Sequence, residues 1–223
     1  MDVQDDLNHI QSNIHDICKR IGRDPNEITI IAVTKYVTIE RTEEAIRAGA
    51  KHVGENRAEQ FVEKKQAIKQ DANWHFIGTL QSRKVKDIVN EVDMIHSLDR
   101  LSVANQIERR ADKPVDCFIQ VNVSGEDSKH GLHPSEVESF IEDLRTYENV
   151  RIVGFMTMAP HVEDEEILRE TFKELAMLRD KMKAKQEPHA PCTYLSMGMS
   201  NDYKIAIEEG ATHIRIGSKL VGS

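Results

Sequence analysis

The chain has 223 residues, 39% of them hydrophobic, with 30 basic and 38 acidic side chains and a net charge of −8. That balance excludes a nucleic-acid binder working through a broad basic surface and a polybasic membrane anchor, but leaves room for one small anion held locally. The length suits one large domain with a sizeable core.

In chain order, residues 1–21 read as an amphipathic helix, because Leu7, Ile10, Ile14, Ile17 and Ile21 recur at helical spacing. Gly22 and Pro25 end it. The rhythm then changes. Residues 28–35 (ITIIAVTK) are apolar and β-branched, which predicts a buried strand, and a helix over 39–48 follows, closed by Gly49. The alternation continues with strands at 52–56, 74–78, 94–98, 116–123, 150–158, 193–197 and 213–217. The helices between them fall at 57–69, 82–89, 101–111, 134–147, 165–185 and 202–209. Eight alternating units predict an α/β fold, a single (β/α)8 TIM barrel with an additional N-terminal helix; an open doubly wound sheet is the competing arrangement. No linker divides the chain, so residues 1–223 are expected to form one domain.

Three well-separated cysteines, Cys18, Cys117 and Cys192, make no metal or redox pair and point to a reducing cytoplasm. The acidic N-terminus lacks the apolar stretch of a signal peptide, and no run approaches the roughly 20 apolar residues of a membrane span. His130 and His133, without a cysteine or carboxylate cluster nearby, read as residues of a solvated loop. His75 and His96 fall in strands and read as hydrogen-bonded core residues.

Such a barrel carries its functional groups where the strands end. Lys35 shares a face with Ile31 and Val33 and aims at the mouth. It is either a lysine snorkelling to water or an amine able to attack a carbonyl and form a Schiff base. Gln120 and Asn122 are expected inside the barrel beside Phe118, as are His213, Arg215 and Gly217 at the last strand. A buried arginine needs either a carboxylate partner or an anion or ring nitrogen to bind. The small residues of Ser196-Met197-Gly198-Met199-Ser200 and Gly217-Ser218 sit where barrels often cradle phosphate. A phosphorylated aldehyde or ketone would suit both lysine and cradle.

The runs Trp74-His75-Phe76-Ile77-Gly78-Thr79-Leu80-Gln81-Ser82-Arg83-Lys84, Ala32-Val33-Thr34-Lys35, Gly54-Glu55-Asn56, Gly154-Phe155-Met156-Thr157-Met158, Ser196-Met197-Gly198-Met199-Ser200 and Arg215-Ile216-Gly217 together resemble the pyridoxal phosphate homeostasis proteins. The resemblance implies a barrel like the N-terminal domain of alanine racemase, with pyridoxal 5′-phosphate (PLP) as cofactor. It makes Lys35 the residue that takes PLP as a Schiff base. It gives the phosphate to Ser200 and the backbone at Gly217 and Ser218, and the pyridine nitrogen to Arg215. Asn56 and Met199 join the pocket, with His75, Ser97 and Met156 as further members. The implied role is intracellular PLP (vitamin B6) homeostasis without catalytic turnover, by a cytoplasmic monomer whose recipients are PLP-dependent apoenzymes, with no nucleic acid and no membrane.

An arginine beside the ring nitrogen makes a weaker electron sink than an aspartate. Racemases of this fold draw a tyrosine from an extra β domain, and the chain's end at Ser223 predicts that domain to be absent. Tyr36, next to Lys35, is expected to point away from it. A PLP-dependent racemase or lyase of weak activity is the alternative reading, and a Schiff-base aldolase for sugar phosphates a third.

Overall fold

The computed structural model describes residues 2–127 and 129–222. Helix α1 (Val3–Ile21) begins at Asp2, whose carboxylate accepts the Gln4 and Asp5 N–H groups, and ends at Gly22 in the left-handed conformation. Its stripe of Val3, Leu7, Ile10, Ile14 and Ile17 is buried against the body. Then β and α segments alternate: β1 (Thr29–Val33), α2 (Ile39–Arg47), β2 (His52–Glu55), α3 (Ala58–Ala67), β3 (Asn73–Phe76), α4 (Val85–Ile88) and β4 (Met94–Leu98). The second half holds α5 (Leu101–Arg110), β5 (Val115–Gln120), α6 (Val137–Asp143), β6 (Val150–Met156), α7 (Glu165–Lys183), β7 (Tyr194–Met199), α8 (Tyr203–Glu208) and β8 (His213–Ile216). Short 3₁₀ turns lead into α4 and α6.

The eight strands pair in sequence order, all parallel, and β8 returns to β1 through Thr29↔His213 and Ile31↔Arg215. The sheet is therefore a closed barrel and not an open one. Alternation along each strand separates two cores. Outward residues such as Ala32, Val53, Trp74, Ile119 and Ile214 pack on the helices in one continuous cluster. Inside the barrel Phe118, Val153, Met156 and Met94 form a small separate cluster.

Most strands are shorter than the apolar runs predict, although β4 matches and β7 runs on to Met199. The first ends at Val33, the fifth at Gln120 and the sixth at Met156. At the first strand, the Thr34 N–H still bonds the Gly54 carbonyl, but Tyr36 has φ 68° and turns the chain out of the sheet. Among the described residues no helix is long and apolar enough to cross a membrane.

Candidate functional site

The C-terminal ends of the strands open into a cavity of about 1400 Å³. Lys35, Asn56, Met199, Ser200, Arg215, Gly217 and Ser218 all line it, although they come from four strand ends. Lys35 is half-buried, two residues beyond β1, and Arg215 is 5% exposed on β8. Gln120 and Asn122 also face this mouth, the latter donating to the Glu126 carbonyl at 2.9 Å.

The hold on Lys35 starts one residue earlier. The Thr34 hydroxyl donates to Glu55 Oε1 at 2.5 Å, and Lys64 Nζ donates to the Thr34 carbonyl at 2.6 Å and to Glu55 Oε1 at 2.7 Å. Thr34, Glu55 and Lys64 are all buried, so an ion pair between α3 and β2 clamps the peptide that carries Lys35. Beyond Lys35, Tyr36 departs from the expectation that it points away. The left-handed backbone at Tyr36 breaks the strand alternation and brings its ring into the same mouth, with Lys35 Nζ 5.4 Å from the ring centroid.

On the opposite wall, the Gly217 N–H donates to Ser200 Oγ at 3.3 Å, and the Met199 N–H donates to Asp202 Oδ1 at 2.6 Å. Asp202 is buried in the cavity wall. Burial pushes its carboxyl above the usual carboxylate range, opposed by the Met199 hydrogen bond and by the Arg215 charge. A Cβ placed on Gly217 would meet nothing closer than the Val33 side chain at 3.6 Å. Protein packing therefore does not require glycine there, and Gly217 lines the cavity. The Asn56 side-chain oxygen is buried without a partner. An amine, a backbone cradle and a buried cation as donors, with the Asn56 amide oxygen as an acceptor, together fit a phosphorylated pyridine aldehyde.

Arg215 donates to Ser196 Oγ at 2.6 Å and to the Thr157 carbonyl at 2.9 Å. Burial pulls its guanidinium down to about 10, with Asp202 opposing, so it stays charged at neutral pH. Of the further pocket members, His75, Ser97 and Met156 do not line the mouth. Each is at most 3% exposed and packed within the strand layer, although Met156 is the last residue of β6. His130 and His133 are exposed, and His133 caps the turn before α6. Sequence reasoning passed over Asp202, read only as a helix start, and the Glu55–Lys64 clamp, whose partners lie on different elements.

A family model described as alanine racemase, N-terminal domain, matches residues 6–223. A protein of Aquifex aeolicus named pyridoxal phosphate homeostasis protein is 40% identical over all of this chain and 98% of its own length. PipY of Synechococcus elongatus, solved with PLP bound, superposes with a TM-score of 0.87 at 29% identity, covering 99% of this chain and all of that one. An alanine racemase of Clostridium difficile shares the fold at TM-score 0.77 and 16% identity, and this chain spans 56% of its length.

Proposed function

This chain belongs to the alanine racemase N-terminal domain family, among its pyridoxal phosphate homeostasis proteins, and from that membership we propose that it binds PLP in the barrel mouth, covalently through Lys35, as one domain. The observation that carries this reading is the single cavity that joins the Lys35 amine, the Ser200–Gly217 cradle and the buried Arg215 cation. When bound, PLP supplies an aldehyde that condenses with an amine and a ring that can draw electrons.

The chain's own residues divide the work. Lys35 offers its amine from a peptide held by the Glu55–Lys64 clamp. Ser200 and the backbone at Gly217 and Ser218 present donors to a phosphate. Asn56 and Met199 close the sides. Arg215 presents N–H donors and no acceptor to the ring nitrogen, so that nitrogen is left without a proton. That limits electron withdrawal and favours holding over turnover. The role is then PLP homeostasis in the cytoplasm, by a monomer that passes the cofactor to apoenzymes, without catalytic turnover.

Equilibrium dialysis against PLP tests the binding. Wild-type protein retains it, and Ser200→Ala weakens retention at least about tenfold, the worth of one hydrogen bond to a charged group. Wild-type protein that retains no PLP contradicts the reading. The position of the Tyr36 ring beside Lys35 favours a second reading, weak racemase or lyase activity with the phenol as an acid or base. Incubating PLP-loaded protein with each amino acid in D₂O decides between the two. Deuterium at Cα that disappears in Tyr36→Phe supports the enzyme, and no exchange at high protein concentration supports the carrier.

A further inference from the structure

The barrel interior is unusual in what fills it. Bulky aliphatic side chains commonly occupy the centre of such barrels; here three histidines stand in line. His52 Nδ1 lies 2.9 Å from His75 Nε2, His75 Nδ1 lies 2.8 Å from His96 Nε2, and His96 Nδ1 lies 2.8 Å from Ser196 Oγ. Ser196 Oγ then accepts from Arg215 at 2.6 Å. His75, His96 and Ser196 are essentially inaccessible, and His52, half-buried, lines a second cavity of about 550 Å³ that also includes Lys51.

Bonding capacity fixes the direction of every proton in this line. A guanidinium only donates. Ser196 Oγ therefore accepts from Arg215, and its single proton has one remaining partner, His96 Nδ1. With Nδ1 accepting, neutral His96 carries its proton on Nε2 and donates to His75 Nδ1. His75 in turn donates from Nε2 to His52 Nδ1. Reversing the line would leave the buried Ser196 proton without an acceptor. Burial, with His52 and His213 nearby, holds His75 well below the usual histidine range, and burial, the neighbouring histidines and Arg215 do the same for His96.

Among the described residues Arg215 has no carboxylate within ion-pair distance. Asp202 acts on it only at longer range. What faces the guanidinium instead is a column of aligned dipoles with their acceptor ends toward it, each polarising the next. We propose that His52, His75, His96 and Ser196 are positioning residues for Arg215: a one-way hydrogen-bonded column that holds its charge and aims its remaining donors at the barrel mouth. The link to the cofactor rests on the function proposed above; the column itself does not.

The test therefore has two arms. In protein without PLP, ¹⁵N-labelled histidine spectra give the tautomer of each ring. His75 and His96 are expected in the Nε2–H form. Ser196→Ala is expected to shift the ring signals of His96 and, one ring further, of His75, and Ser196→Thr to restore them. His52→Phe, altered at the far end, is expected to shift His75 without touching Arg215 and serves if Ser196→Ala does not fold. In PLP-loaded protein, Ser196→Ala and His52→Phe are expected to move the pH midpoint of the cofactor's absorbance, and Ser196→Thr to restore it, with the amount bound within about twofold in each. An Nδ1–H tautomer at His75 or His96 overturns the column. Unchanged absorbance in variants whose ring signals have shifted overturns its role toward Arg215. If wild-type protein takes up no PLP, the proposed function fails while the tautomer arm still decides the column.

Discussion

Lys35 sits between two constraints of different kinds. Before it, the Thr34 carbonyl and hydroxyl are gripped by a buried ion pair. After it, Tyr36 occupies left-handed backbone, which costs a bulky residue about 1–2 kcal/mol. Lys64→Met would leave the Glu55 carboxylate buried and unpaired, so urea unfolding should show a loss of roughly 3–5 kcal/mol. Adding Glu55→Gln should recover much of it, and additive losses in the double variant would contradict the clamp. The strand pattern left Lys35 open between a lysine snorkelling to water and a Schiff-base amine; only the resemblance of the surrounding motifs singled it out. Tyr36 was misjudged because alternation was carried past the strand's end at Val33.

At the scale of elements, the order and type of every strand and helix were legible from turn residues and changes of period. Most of their ends were not, since a strand stops where pairing stops and not where apolar residues do. The closeness of some pairings was also hidden. Gly154 in β6 lies in register with Tyr194 of β7, and a Cβ there would sit 2.1 Å from the Tyr194 carbonyl oxygen. Gly154→Ala must push these strands apart at the seam below the mouth. A stability loss of about 2–3 kcal/mol in urea is expected, as for other overpacked cores. A loss under half a kcal/mol would show that the seam yields more easily than a closed barrel should. The histidine column illustrates what sequence cannot give. Each ring was correctly placed in a strand, but only barrel closure brings β2, β3, β4, β7 and β8 into one line.

The whole molecule joins an acidic exterior to a polar, neutral axis. That axis has a consequence for pH. Burial holds His213 down to about 3, and keeps His75 and His96 neutral as well. In the unfolded chain these rings take a proton near pH 6.5. Below that value the unfolded state binds more protons than the folded one, so stability falls as pH drops from about 6.5 toward 3. Urea midpoints measured at pH 7.5 and 5 should differ in that sense, and His213→Asn should narrow the gap. Equal midpoints would mean that the rings charge inside the barrel. The central claim is that one amine, Lys35, holds PLP in the mouth. Borohydride reduction of the PLP-treated protein, followed by peptide mass mapping, tests it most directly. The account predicts one pyridoxyl adduct, on Lys35, and none in Lys35→Ala; an adduct on another lysine, or one that survives in Lys35→Ala, would contradict it.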